Sequence, residues 1–371
     1  MLTPPFPGPE TVDHSLIGSI RRINPRNGTI EWTRIPSNNL KAGHSSESVI
    51  YRLDPLREAN KLVFQIGTSD PARAVAAARM VAADVYAIDV NAGCPKPFST
   101  SGGMGAALLR TPDTLVAILE ALVKEIATEF KIGISVKIRL LETAEETERL
   151  VRRLVATGIT GLTVHCRTTP MRPRERAIRG QLRMVAEVCR EAGVACVMNG
   201  DVEGRDQAFE LVREFGVDGA MIATSAEKNP SVFRGEAAGG PAPWREMATK
   251  FAWYAMEVEN KFGNTKFTLA HLVHGSHKLI ASTKTYVEVV TALEMGGDAL
   301  RKAVETDNIL GIAPKPVVKV DVPAKRKRET KGVWKGNNPP KSPVKKQSPP
   351  MSPTMTPTKK QRVMEDAIPT N

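Results

Sequence analysis

One cysteine stands where a reactive thiol would be useful. Cys94 follows a short β-branched run and precedes a glycine-rich turn, in the segment VNAGCPKPFSTSGGMGAALL of residues 90–109. A thiol on a loop flanked by glycines can move against a bound ligand, and an ordinary thiol, with a pKa of about 8.5, stays protonated at neutral pH. The pattern therefore suits a general acid. The plainer interpretation is a small residue in a strand-to-helix loop.

A second set of polar residues falls at the ends of other apolar runs. Lys137 and Arg139 lie two positions apart, so a strand directs both side chains to one side, where two cations suggest an anionic ligand. Burying an ammonium is costly unless an anion accompanies it. The corresponding positions of the other runs are occupied by Gln65, Asn91, His165, Asn199, Gly200, Asp201, Ala223 and Thr224. Taken alone, His165 would more often bond to backbone, and Asn199-Gly200 would more often form a turn.

Six short apolar runs predict strands, and the segments between them predict helices. The runs are residues 61–67, 85–91, 134–138, 161–165, 194–199 and 218–223. Asp70-Pro71 and Thr111-Pro112 each predict a helix start, with the first helix ending near residue 83 and the second near residue 130. This alternation predicts βαβ units and a parallel sheet. A doubly wound sheet would cluster polar residues at one switch point, whereas here they follow every strand. The predicted fold class is therefore α/β, a (β/α)8 TIM barrel with six of its eight strands in this chain.

The composition is that of a globular intracellular protein. With 371 residues, 41% of them hydrophobic, the chain is long enough for one barrel domain with appendages. It has no apolar run long enough to span a membrane and no secretory signal at the N-terminus, so we expect neither a membrane contact nor export. The four cysteines form no CxxC pair and no histidines stand at ligand spacing, so we expect free thiols and no metal site.

Most of the net charge lies in the C-terminal segment. Residues 315–371 hold fourteen Lys and Arg against four Asp and Glu, a net of +10 out of +12 for the whole chain. Prolines are frequent there and aliphatic residues few, so we predict that residues 313–371 form a disordered tail. The basic group at 325–328 suits nuclear import or nonspecific phosphate contact, with a solvated linker as the alternative. We therefore expect a cytoplasmic or nuclear protein.

Two further patterns bear on partners. Five arginines crowd the segment after His165, namely Arg167, Arg172, Arg174, Arg176 and Arg179. We expect them to clamp the phosphates of a nucleic acid, with a solvated basic loop as the alternative. Beyond Trp244, apolar residues recur at spacings of three or four, which predicts a helix with a core-facing stripe. The stripe comprises Met247, Phe251, Tyr254, Val258 and Phe262.

These residues occur in motifs that resemble those of a known family. The segments DVNAGCPKPFSTSGGMGAALLRTPDT, FQIGTSDPARA, ISVKIRLL, LTVHCRTTPMRPRE, VMNGDV and GAMIATSAEKNPSVF are similar to segments of tRNA-dihydrouridine synthases. They keep their order across residues 9–310. The branch they resemble is the eukaryotic one that acts on the D-loop uridine at position 20.

The resemblance implies an FMN enzyme that passes hydride from NADPH, or NADH, to C6 of a uracil in tRNA. In that pattern Cys94 protonates C5, Lys137 stabilises the reduced flavin, and Gln65 and His165 contact the flavin. The flavin phosphate would lie at Asn199, Gly200, Asp201, Ala223 and Thr224. Asn91 and Arg139 match positions close to the uracil. The implied domains are an FMN-binding barrel at 1–240, a helical tRNA-binding domain at 241–312 and the tail, in a chain that we expect to be monomeric.

The resemblance also indicates where this chain differs from the family. Family members begin with two barrel strands that we expect this chain to lack, with residues 29–35 and 48–53 as extended pieces outside the barrel. Many relatives place an arginine where this chain has residues 223–225. Two alternatives stay open. A small-molecule FMN oxidoreductase resembling dihydroorotate dehydrogenase would need neither the arginine-rich loop nor the helical appendage, and a noncatalytic RNA-binding remnant is favoured by the count of six strands.

Overall fold

Nine strands form two sheets in the part of the chain that the computed structural model describes, residues 16–35, 47–272 and 277–313. The antiparallel sheet comprises β1 (Ile20–Ile23), β2 (Ile30–Arg34) and β3 (Ser48–Leu53). The parallel sheet comprises β4 (Val63–Ile66), β5 (Ala87–Ala92), β6 (Gly133–Arg139), β7 (Gly161–His165), β8 (Ala195–Asn199) and β9 (Gly219–Met221). Each parallel strand pairs with the next strand in the chain, which is the strand order of a (β/α) barrel. The predicted fold class is confirmed.

Nine α-helices among the described residues follow the strands of the two sheets, and the two that were predicted from a proline begin at Pro71 and Pro112. The nine are α1 (Pro55–Glu58), α2 (Pro71–Arg79), α3 (Pro97–Thr100), α4 (Pro112–Leu122), α5 (Thr128–Phe130), α6 (Ala144–Val155), α7 (Leu182–Glu191), α8 (Arg205–Phe215) and α9 (Thr224–Lys228). Asp70 caps α2 by accepting a hydrogen bond from the Arg73 amide at 3.0 Å. A π-helical turn, Val123–Ala127, joins α4 to α5, so the predicted helix to residue 130 is continuous but carries a bulge.

Alternate residues of the parallel strands serve opposite sides of the sheet. On β5, the side chains of Ile88, Val90 and Ala92 are fully buried and belong to the main apolar core with residues of the covering helices. Asp89 and Asn91 point the other way. The strand register aligns Asp89 with Gln65 and Ser135, Asn91 with Lys137, and Arg139 with His165 and Asn199. The candidate polar residues therefore share the face of the sheet that the helices do not cover.

The antiparallel sheet lies outside the parallel one, as predicted for residues 29–35 and 48–53, and it contacts the helices that follow the barrel. Trp32 is fully buried, and its indole donates to the Met80 carbonyl at 2.9 Å. Arg26 donates to both carboxylate oxygens of Glu259, at 2.6 and 2.5 Å, and Arg52 donates to the Glu259 carbonyl at 2.9 Å. These contacts form a polar seam between the small sheet and the loop after Glu257.

A second group of helices follows the barrel and has apolar clusters of its own. It comprises α10 (Trp244–Glu257), α11 (Phe262–Leu272), α12 (His277–Ala281), α13 (Tyr286–Ala292) and α14 (Gly297–Ile309). The predicted stripe on α10 is wrong in part, because Tyr254 is 50% exposed and lies against the Arg57 guanidinium. The buried residues of α10 are instead three alanines with Met256, since small side chains let helices pack closely.

The remaining predictions about organisation concern the ends of the chain. The chain divides into two units, Met1–Lys315 and Pro316–Asn371. The predicted tail from residue 314 onward, with its basic group at 325–328, lies outside the described residues. The division between a barrel at 1–240 and a helical domain at 241–312 stays a prediction. Within the described ranges, no helix is both long enough and apolar enough to cross a membrane.

Candidate functional site

A chain of hydrogen bonds leads from the barrel wall to the cysteine. The Gln65 side-chain amide donates to Asp89 at 2.7 Å, and the Asn91 amide donates to the Gln65 carbonyl oxygen at 3.1 Å. The Asn91 carbonyl oxygen then accepts from the backbone amides of Gly93 and Cys94, at 3.0 and 3.1 Å. Gln65 and Asn91, predicted as separate flavin and substrate contacts, are therefore bonded to each other. Both remain half-buried.

The loop that carries Cys94 closes tightly on a glycine. Gly105 has a φ of +59°, and a side chain there would place its Cβ 2.6 Å from the Cys94 carbonyl oxygen. The same carbonyl accepts a hydrogen bond from the Ala106 amide at 2.9 Å. Cys94 is half-buried, whereas Cys166, Cys189 and Cys196 are buried. Among these four free thiols, Cys94 is therefore the one that a ligand can reach.

Lys137 is a cation without a bonded partner in the barrel wall. Lys137 on β6 is paired with Asn91 on the neighbouring strand β5. Its half-buried ammonium forms no hydrogen bond or ion pair with any residue that the structure describes. Burial lowers the pKa of Lys137, while the nearby Asp89 and Cys94 oppose that shift and Arg139 adds to it. An anion bound next to the ammonium would favour its charged form and raise the pKa again. The site therefore fits a negatively charged ring or group.

His165 is held as a neutral imidazole. Burial, together with Lys137, Arg139 and Arg167, lowers its pKa to about 3. Its Nε2 lies 3.1 Å from an Arg167 guanidinium nitrogen, which can only donate, so Nε2 accepts and the ring proton sits on Nδ1. The imidazole thus offers an N–H donor at Nδ1.

Arg167 does not reach out to phosphate as predicted. It is 5% exposed, and its donors are engaged by the Glu175 and Pro173 carbonyls, by His165 and by Asp201. Because every one of these partners is protein, Arg167 orients His165 and holds the arginine-rich loop in place.

Asp201 does not face the flavin phosphate as predicted, because its carboxylate is also engaged by protein groups. Its carboxylate accepts from Arg167 at 2.5 Å and from the Ala177 amide at 2.7 Å, and these bonds lower its pKa despite partial burial. Two hydrogen-bonded carboxylate oxygens beside an arginine would also repel a phosphate. The preceding Gly200 has a φ of +123°, and Asn199 donates to the Met221 carbonyl at 3.2 Å. This turn, like Arg167, anchors loops around the site.

Arg139 connects two loops at the barrel mouth. Its guanidinium donates to the Gly93 carbonyl at 2.8 Å and to the Thr168 carbonyl at 2.8 Å, and the residue is 7% exposed. The predicted contact with uracil is untested. The structure adds a role that the sequence did not indicate, which is to tie the Cys94 loop to the loop after β7.

The remaining predicted residues lie on the exposed rim. Ala223 and Thr224 are exposed at the start of the short helix α9, and their part in holding a phosphate stays a prediction. Arg172, Arg174 and Arg176 are exposed, and their guanidinium groups make no hydrogen bond or ion pair within the described ranges. This leaves them free for an external anion.

An open cleft of about 580 Å³ lies between Arg172 and the cysteine loop. Pro95 and Ala106 line it from the Cys94 loop, Arg110 from the segment that follows, and Glu142 and Arg172 from the loops after β6 and β7. The cleft therefore combines charges of both signs with residues that neighbour Cys94 in the chain, and it can receive a polar ligand.

Sequence reasoning missed the buried carboxyl of Asp89. It is 5% exposed and accepts from Gln65 and from the Ser135 hydroxyl, both at 2.7 Å. Burial raises its pKa, and the two hydrogen bonds and Lys137 counter that effect. The signal was present in the sequence DVN, since Asp89 and Asn91 alternate on one strand and must share a face.

Comparison with known proteins shows which family this chain belongs to. Residues 38–297 match the family model for dihydrouridine synthase. A tRNA-dihydrouridine(20) synthase [NAD(P)+] of Schizosaccharomyces pombe is 45% identical over 78% of this chain and 59% of its own length. One of Saccharomyces cerevisiae is 42% identical over 72% of this chain and 70% of its own. The chain thus spans about three fifths to seven tenths of the length of these relatives, and it belongs to the dihydrouridine synthase family.

Proposed function

We propose that this protein reduces a uridine of tRNA, at position 20 of the D-loop, to 5,6-dihydrouridine. The two relatives named above carry that activity in their names, with NAD(P)+ as the oxidised coenzyme. The observation that carries the proposal is that Cys94 and Lys137 lie at the same mouth of the barrel. Cys94 follows the strand that pairs with Lys137 and is close enough to influence its pKa.

FMN is the flavin that we propose for this mouth. Lys137 supports this choice because it supplies a half-buried positive charge that lacks a bonded partner among the described residues. His165 would donate from Nδ1, and Gln65 would present its amide edge from the neighbouring strand. When bound, the flavin would supply the hydride for C6 of the uracil, with NADPH or NADH as its reductant.

Cys94 would supply the proton that the reaction needs at C5. The proton moves from the Sγ atom to carbon, and the thiolate that remains lies near the positive charges of Lys137 and Arg139. Asn91 holds the loop by accepting hydrogen bonds from the Gly93 and Cys94 amides, and Arg139 holds it by donating to the Gly93 carbonyl. These three contacts hold the backbone of the acid in place, and Cys94 remains half-buried.

The RNA chain on either side of the target base would lie along the rim. Among the described residues, the guanidinium groups of Arg172, Arg174 and Arg176 have no partner, and Arg110 lines the cleft next to the Cys94 loop. Guanidinium groups bind phosphate oxygens through paired N–H donors. The mixed charge of the cleft, which is lined by Glu142 as well as by Arg110 and Arg172, suits a nucleotide with both phosphate and base donors.

The test is conversion of uridine in unmodified tRNA, followed by nucleoside mass spectrometry. Cys94→Ala should lower the rate of dihydrouridine formation by roughly 10²- to 10⁴-fold, the usual contribution of general acid catalysis, while leaving the bound flavin content unchanged. Cys189→Ala, a buried thiol remote from the mouth, is the matched control and should keep its rate. Unchanged turnover in Cys94→Ala would remove the thiol from the mechanism, and no turnover by the wild type would refute the proposed activity.

A further inference from the structure

We infer that Asp89 is a positioning residue, which sets the geometry of Cys94 through Gln65 and Asn91. Asp89 is the third side chain away from the cysteine loop and is closed off from solvent. The expected effect of Asp89 on turnover rests on the proposed function, in which Cys94 is the proton donor. The structural link itself is independent of any reaction, because it consists of hydrogen bonds between residues of this chain.

The direction of each hydrogen bond follows from the one before it. A carboxylate only accepts, so Asp89 requires Gln65 to turn its NH₂ group inward, as the 2.7 Å contact shows. The Gln65 carbonyl oxygen must then face Asn91 and accept from the Asn91 NH₂ group at 3.1 Å. This leaves the Asn91 carbonyl oxygen as the acceptor for the Gly93 and Cys94 amides.

An amide side chain on its own has no such preference. Without Asp89, Gln65 can rotate its amide by half a turn at little cost, and Asn91 would follow. Asn91 would then present its NH₂ group to two backbone N–H donors, and the turn before Cys94 would lose both hydrogen bonds. The buried carboxyl therefore acts on the cysteine without touching it, a substrate or a cofactor.

Ser135 supplies a matched control at the other oxygen of the same carboxyl. Its hydroxyl donates to Asp89 at 2.7 Å, the same length as the Gln65 contact, but it has no bond to the chain that leads to Cys94. Ser135→Ala therefore removes one hydrogen bond from Asp89 and leaves the link intact. Asp89→Asn keeps an oxygen for Gln65 and can turn its NH₂ group to the Ser135 hydroxyl, so it should restore what Asp89→Ala loses.

Hydrogen exchange by mass spectrometry on the full chain, for peptides covering residues 91–96, tests the inference directly. Asp89→Ala should speed exchange of the Gly93 and Cys94 amides by roughly tenfold, whereas Asp89→Asn and Ser135→Ala should stay close to the wild type. In tRNA turnover per bound flavin, Asp89→Ala should lower kcat with little change in KM, and Asp89→Asn should recover most of the loss.

Equal exchange in Asp89→Ala and the wild type, or equal acceleration in Ser135→Ala, would overturn the inference. If Asp89→Ala does not fold, Gln65→Met breaks the same link one step later and must speed the same two amides; no change there would also overturn it. Accelerated exchange together with no turnover by any form, the wild type included, would support the role of Asp89 and refute only the proposed activity.

Discussion

At the scale of single residues, the barrel wall combines the ammonium of Lys137 with the neutral imidazole of His165. Lys137 keeps its ammonium half-buried with no bonded counterion in the described residues, at the cost of a lowered pKa. His165 is kept neutral by burial and by three cations, and Arg167 fixes its tautomer. Such groups reduce the stability of the free protein and become favourable when an anion with an acceptor atom arrives.

Replacing Lys137 should weaken flavin binding more than folding. Lys137→Met removes a buried charge and keeps the length of the side chain, so we expect flavin affinity to fall by roughly 10- to 100-fold, the effect of a charge-assisted contact. Flavin absorbance of the purified protein, followed by titration with FMN, measures this. Lys124→Met, an exposed lysine on the π turn, is the control. Equal flavin retention in both variants would contradict the proposed role.

The imidazole of His165 should make stability depend on pH. Its folded pKa of about 3 lies below the ordinary 6.5, so the folded state binds fewer protons than the unfolded state between these values. Stability is therefore complete above pH 6.5 and falls as the pH drops towards 3. His165→Gln should lose less of its Tm than the wild type between pH 7 and 5, and the exposed His271→Gln should follow the wild type. Parallel curves for wild type and His165→Gln would contradict this assignment.

At the scale of elements, the catalytic loop depends on a close backbone contact. Gly105→Ala would bring a Cβ against the Cys94 carbonyl and force a residue with a side chain to a φ of +59°. We expect a loss of about 1–3 kcal/mol in the free energy of unfolding and a larger relative loss of turnover. Gly102→Ala is the control, since its Cβ would meet the flexible end of Met104 at 3.5 Å and the Ser99 carbonyl oxygen at 3.8 Å, both ordinary contact distances. Denaturant unfolding with turnover on tRNA measures both, and equal behaviour of the two variants would refute the constraint.

Strands and helix starts could be predicted because their causes are local. Proline at the first helical position and β-branched runs determine them, so the six parallel strands lie within two residues of the predicted runs. The partners of Arg167 and Asp201 could not be predicted, since they lie 34 residues apart and meet only when β7 and β8 pair. The exposed Tyr254 shows the same limit, because helical spacing does not tell which neighbour covers a face.

At the scale of the whole molecule, the rim arginines should govern binding of a large polyanion. Arg172→Ala combined with Arg174→Ala should weaken tRNA binding and reduce the slope of log K against log salt by about 1 to 2, through lost phosphate contacts. Arg213→Ala, an exposed arginine on α8 away from the mouth, should leave the slope unchanged. Filter binding at several salt concentrations measures the slopes. A wild-type slope in the double variant would place the RNA elsewhere.

The seam at Glu259 bears on how a folded RNA would be selected. Arg26 and Arg52 hold Glu259, a residue with a φ of +51°, so the small sheet and the later helices are braced before any ligand arrives. A braced surface loses little conformational freedom when it binds, and it gains affinity only from partners whose own shape already matches its spacing. The protein would then select RNAs first by their three-dimensional shape, before any base is recognised at the barrel mouth.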